Sequence, residues 1–268
     1  MDATNPGYEY RGKLIAESKI VKMCGYIYDD MFEIDKYILP GIEVRLKFIR
    51  SAKVFNILST NEGKSYKSVI ESAVFYCRKH VLSQEVRNMH LSSLQHEKAI
   101  YPFVQSTIKT FLILKSAQSC VCDSLFATSF LPHRIIIGPV KTAAFNGQYS
   151  LSPFNFENFK LSTLNVTVNS DASMYKSQNL EIINSNNLLA LQLLKKGLVS
   201  GFDFDRSNYD QGCNFFFFES AASHAVSEGT VKIDMNFQTA LSDPVTVVIF
   251  AQFDKQISID RDYVVSLD

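Results

Sequence analysis

Between residues 41 and 50, Ile42, Val44, Leu46 and Phe48 alternate with Glu43, Arg45 and Lys47, the period of two expected of a strand with one buried face. The Pro40-Gly41 pair before it supplies a turn, and the mixed apolar run 69–79 reads as a more deeply buried strand. Residues 107–115 and 134–140 repeat the theme. Late in the chain, Val231, Ile233, Met235 and Phe237 alternate with Lys232, Asp234 and Asn236. Asp243-Pro244 then turns the chain into the apolar run 245–253, which predicts neighbouring antiparallel strands. Residues 213–219 hold four consecutive phenylalanines, too short for an independent helix and aromatic enough for a strand buried on both faces.

Only two segments carry a helical period. In 83–98, Val86, Met89, His90 and Leu94 fall near one face, with Ser83 as N-cap and Glu85 in the first turn. In 184–196, a polar run precedes a broad leucine stripe, and Gly197 follows Lys195-Lys196 as a stop. Many strands at short spacing with two short helices in the connections predict an all-β protein, a β-sandwich, and the long loops favour Greek-key connections of the jelly-roll kind. No Pro-, Gly- or Ser-rich linker and no short repeat interrupts the chain, so any boundary falls at the first helix, within 83–101.

Composition narrows function mainly by exclusion. The 268 residues are long enough to bury a core, nearly half are hydrophobic, and Phe and Tyr are abundant while Trp is absent. Lys plus Arg balance Asp plus Glu at 27 each, so no net positive potential gathers phosphates, which argues against strong direct nucleic-acid binding. No apolar run approaches a membrane span, and the opening MDATNPGYEYRGK lacks the apolar core of a signal peptide, so the expectation is a soluble, intracellular protein, not secreted and with no membrane partner. Five cysteines at irregular spacings, mostly within apolar stretches, suit reduced, packed thiols.

Catalytic signatures are missing: there is no G-x-S-x-G elbow, no phosphate-cradling glycine loop and no His-Glu-x-x-His, and neither a catalytic residue nor a cofactor is assigned. Cys120-x-Cys122 with Asp123 and His133 offers thiolate and imidazole ligands for zinc, yet the spacing is short for a knuckle and no second pair completes it. His80, His90 and His96 read as ordinary histidines. Asp29-Asp30 with Glu33 and Asp35, Asp203 with Asp205, and Asp260 with Asp262 read as solvated loops, because the Gly-centred spacing of a calcium loop is absent. No metal site is assigned. Asn165-Val166-Thr167 matches a glycosylation sequon but lies in an alternating strand.

One stretch exceeds what an anonymous sandwich needs: LPHRIIIGPV, then AAFNGQYS, then SPFNF. Leu131, Pro132 and Arg134, then Ala144 to Gly147 with Tyr149, then Pro153, Phe154, Asn155 and Phe156 resemble the major capsid proteins of Polinton (Maverick) elements. The segment IFAQFDKQISIDRD, with Phe253-Asp254 and the run 257–262, is similar to that family's final strands. Weaker similarity runs through Tyr8-x-x-Arg11, MCGYIYDDMF, LPGIEVRLKFIRS and AVFYCRK. The resemblance implies a double jelly roll: residues 1–99 as part of a first jelly roll with its connecting helix, and 100–268 as a complete second one. It also implies a non-enzymatic, shell-forming role in a virion capsid. The implied partners are further copies of the chain, as a homotrimer and its shell neighbours, and other capsid proteins.

Read physically, Asn146-Gly147 makes a turn that needs positive φ, and Phe145, Tyr149, Phe154, Phe156 and Phe159 give a long loop its own apolar anchor. Phe145, Asn146, Gly147, Tyr149, Pro153, Phe154, Asn155 and Phe156 are therefore the candidates for loop anchoring or assembly contacts. Two departures from the family pattern carry expectations. Pro139 removes a donor, which places its strand at an edge or at a bulge. The chain begins inside the first domain, which leaves that sandwich incomplete. The competing readings are a jelly-roll module binding carbohydrate or protein through exposed aromatics, and an enzyme with a site near Cys120, Cys122 and His133.

Overall fold

The computed structural model describes residues 6–28, 30–32, 34–51, 55–61, 63–123, 125–128, 131–169, 175, 188–197, 205–220 and 229–267. Alternating apolar positions become two antiparallel sheets packed through one core. In the first sheet, β1 (Ala99–Ile113), β8 (Val245–Ile259), β4 (Arg134–Lys141) and β6 (Phe216–Glu219) lie in that order, and β9 (Val265–Leu267) pairs with β8. In the second, β7 (Gly229–Phe237) pairs with β2 (Ser119–Cys122), β3 (Ala127–Thr128) and β5 (Leu161–Val168). The pairings are nested: β1 with β8, β2 with β7, β4 with β6. That is a long hairpin rolled into two layers, the jelly roll.

The period of two explains the core. Val231, Ile233, Met235 and Phe237 of β7 are buried, as are Ile135 and Ile137 of β4 and Val247 and Ile249 of β8, and residues of both sheets form one cluster. The phenylalanine run behaves as read: Phe216 and Phe218 enter the core opposite Ile137 and Ile135, while Phe217 faces the other side, where α4 (Leu188–Gly197) packs. α2 (Gln84–Leu94) starts at Ser83, whose Oγ accepts the Val86 N–H at 3.4 Å.

Several expectations need correction. The expected two helices are joined, among the described residues, by α1 (Pro6–Ile15), α3 (Thr142–Phe145) and α5 (Arg206–Asp210). α1 carries no apolar stripe to announce it and is supported by Pro6 in its first turn and a Glu9–Lys13 pair at 2.7 Å, while α3 and α5 are too short to establish a period. Gly197 is the last residue of α4, and the expected capping run 184–187 lies outside the described residues. β1 starts at Ala99, ahead of residue 107, because Pro102 is tolerated in an edge strand.

Pro139 lies neither at a sheet edge nor at a bulge: β4 is central and runs along β8 without a register shift. Its pairing with β6, however, ends at Ile137, and the Pro139 carbonyl accepts the Glu157 N–H at 3.1 Å. A strand residue's N and O point to the same side, so the missing donor costs no ladder bond on β8.

The largest correction concerns 41–50 and 69–79. Both stretches lack a ladder partner among the described residues, and Phe48, Ile49, Val69 and Tyr76 are exposed. Alternation encodes which side chains need cover, but a strand also needs a backbone partner. The segment is tied down locally instead. Lys36 Nζ donates to the Ile100 carbonyl at 3.1 Å and Tyr101 Oη to the Tyr37 carbonyl at 3.3 Å. Arg50 reaches the Ser68 carbonyl at 2.5 Å, and Tyr37 packs on His80 with centroids 4.5 Å apart. With few buried contacts, the amides of 42–50 and 69–79 are expected to exchange with solvent orders of magnitude faster than those of β4, β7 and β8. Hydrogen exchange in a monomeric sample checks this, and equal protection along the chain would contradict it.

Candidate functional site

The loop between β4 and β5 holds all eight candidates for loop anchoring or assembly contacts. It leaves β4 through α3, fastened where the Thr142 N–H donates to the Pro244 carbonyl at 3.0 Å and Thr142 Oγ1 meets Thr246 Oγ1 at 2.9 Å. Asn146 caps α3 with its N–H on the Thr142 carbonyl, and Gly147 follows at φ 92°, the left-handed turn expected of Asn-Gly. Phe145 is half-buried beside buried Ala144.

Farther on, the loop continues β4 sideways. Phe156 bridges Val140 on one side and Cys213 on the other, its N–H donates to the Gly212 carbonyl at 2.8 Å, and its carbonyl accepts from both the backbone and side-chain nitrogens of Asn214 at 3.2 Å. The ring packs on Phe215, 4.6 Å between centroids, over Gly138, where an added Cβ would stand 2.8 Å from the Phe156 ring. Pro153 is buried, and Asn155 Nδ2 donates to Glu157 Oε1 at 2.8 Å. Lys141 Nζ also approaches Glu157, at 3.8 Å. The fastening residue that sequence reasoning missed is Asn214. It is buried, and its Nδ2 also donates to the Tyr209 carbonyl at 3.0 Å. A lone polar residue before a run of phenylalanines was the available signal.

Two aromatic residues face the opposite way. Tyr149 stands edge-on to Tyr66 at 5.5 Å; its Oη accepts the Tyr66 N–H at 3.1 Å and donates to the Tyr66 carbonyl at 3.4 Å, and its carbonyl accepts the Ser59 N–H at 2.9 Å. Phe154 is 67 % exposed and meets Phe55 edge-on at 5.5 Å, so it does not anchor the loop beneath the sandwich. The loop therefore has an inner half stitched to the sheet and an outer half that grips Phe55, Ser59 and Tyr66. Phe154→Ala is expected to cost under about 1 kcal/mol and Phe156→Ala about 2–3 kcal/mol, read from urea midpoints, because only the second ring fills packed space.

The other candidates do not converge. Cys120 and Cys122 share one side of β2, opposite Met235 and Ile233, and burial pushes both thiols up, away from the thiolate a metal needs. His133, next to β4 in the other sheet, lies 3.4 Å from Asp254, and Asp123 is exposed. His80 packs on Tyr37, while His90 and His96 lie on and just after α2. Asp35 and Asp205 are exposed, and Asp260 Oδ1 accepts the Asp262 and Val264 N–H groups to close the β8–β9 turn. Asp29, Glu33 and Asp203 lie outside the described residues, as does the side chain of Asp30. Asn165 sits within β5 opposite Asp234. Among the described residues, no three His, Cys, Asp or Glu side chains gather as a metal site, and no helix is long and apolar enough to cross a membrane.

No family model matches the chain. An uncharacterized protein of Caenorhabditis elegans is 22 % identical over 248 residues, covering 86 % of this chain and 59 % of that protein. Among solved structures, the mavirus major capsid protein superposes with a TM-score of 0.40 at 11 % identity, over 64 % of this chain and 41 % of that one. The chain thus spans 59 % and 41 % of the lengths of the proteins it matches.

Proposed function

We propose that the chain is a structural, shell-forming protein of the Polinton capsid type, working in a virion capsid and without chemistry of its own. Residues 100–268 serve as the second jelly roll and 1–99 as part of a first. Its partners are further copies, with a trimer as the first specific state, and neighbouring capsid proteins. Two jelly rolls per subunit make three subunits a pseudo-hexagonal block, which is what the sequence resemblance implies for assembly.

The observation that carries this reading is the two-sided loop. The residues of the AAFNGQYS…SPFNF motif divide into a half fixed to the sandwich through Phe156 and a half that holds another segment through Tyr149 and Phe154. A catalytic loop converges polar groups on a cavity; this one spreads aromatics along a contact. Electron microscopy of the purified chain at high concentration tests the reading. Tiled sheets or closed shells are expected, whereas uniformly dispersed single particles, together with a hit on a glycan array, would replace it with the binding-module reading.

A further inference from the structure

Two strand-like features have no ladder partner on one side or both among the described residues, and they match. β1 spans 15 residues and pairs with β8 on one side; no described strand pairs with its other edge. Along that edge Val104, Ile108 and Leu112 are exposed on the outward face, while Gln105, Thr107 and Lys109 line the other. A long open edge with an apolar face is a template for another strand. Residues 42–48 carry the same division, with Val44, Leu46 and Phe48 exposed on the apolar side and Glu43, Arg45 and Lys47 on the polar side.

In its own chain this stretch lies away from that edge. Residues 36 and 37 are tied beside the start of β1, and the stretch then borders a groove of about 590 Å³ together with Ile257, Ile259 and Val265. Val265 belongs to β9, which pairs with β8 on the side opposite β1.

We propose that residues 42–50 add as an antiparallel strand to the open edge of β1 in a second copy of the chain, which deepens the assembly reading above and rests on it. Charge sets the register: Glu43, whose present partner is the still more exposed Arg45, lies opposite Lys109. Val44 then faces Ile108 and Phe48 faces Val104, with Leu46 over Ser106 between them, so that the added apolar side chains share the face of the exposed apolar stripe while Arg45 and Lys47 meet Thr107 and Gln105 on the other. The contact is heterologous, one patch meeting a different patch, and closes as a ring or by reciprocal exchange.

The test is made in trans. In the full chain carrying Cys24→Ser and Cys77→Ser, which removes the two exposed thiols, the single variants Val44→Cys and Ile108→Cys are mixed under mild oxidation. A covalent dimer is expected in the mixture at about ten times its level in either variant alone, since directly opposed positions bring Cβ atoms into disulfide range. Separately, Ile108→Lys, at an exposed position that leaves the core intact, is expected to weaken self-association about tenfold or more. A chain that still associates but gives no cross-link and ignores Ile108→Lys overturns this contact and leaves the assembly reading standing. A chain that stays monomeric overturns both.

Discussion

Phe218→Ala is expected to cost about 3–5 kcal/mol, seen as a large fall in the urea midpoint at unchanged slope. Phe218 is 1 % exposed, enters the core opposite Ile135, and belongs to the innermost of the nested pairings, so truncation leaves a cavity that neither sheet can collapse into. Phe217→Ala, on the opposite face, is expected to loosen α4 instead of the sandwich, since its ring lies against the end of that helix. A loss below about 1 kcal/mol at Phe218 would contradict a core shared between the two sheets.

Raising the pH is expected to destabilise the fold steeply above about pH 10. Tyr175 and Tyr209 are buried, and each donates its hydroxyl to a carbonyl at 2.9 Å, Tyr175 to Pro132 and Tyr209 to Phe215. Burial holds both phenols well above the ordinary tyrosine range, with the charge of Asp210 adding to the effect at Tyr209. The protonated form is the one the fold keeps. The stability this confers is therefore complete below the unfolded pKa near 10 and is lost as pH rises toward the folded values. Over that window the unfolded chain releases two protons that the native chain retains, a slope of about 2.7 kcal/mol per pH unit for the pair. Urea midpoints at pH 8 and pH 11 measure it, and Tyr175→Phe with Tyr209→Phe is expected to flatten the difference. A flat wild-type profile would contradict the burial of both hydroxyls.

What could be read from sequence divides along a physical line. β4, β6, β7 and β8 were legible because each carries enough apolar positions to declare its face, and α2 because Ser83 states where it begins. The stretch 41–50 carries an equally clear pattern and pairs with nothing among the described residues, since periodicity records a demand for cover and says nothing about whether the chain supplies it. β2 was not legible, because a four-residue strand whose alternating positions are Cys120 and Cys122 is too short to establish a period. At the candidate site, the turn at Asn146-Gly147 and the anchoring by Phe156 were legible. The outward roles of Tyr149 and Phe154 were not, because aromatic residues look alike in a sequence whether they fill a core or grip a neighbouring segment.

Self-association is the account's central claim, and light scattering coupled to size exclusion tests it most directly. Over a micromolar to tens-of-micromolar range, the chain is expected to pass from its 30.3 kDa monomer to a discrete larger species, with a trimer the first to persist. A mass that stays at one chain throughout, however concentrated the sample, would contradict the account.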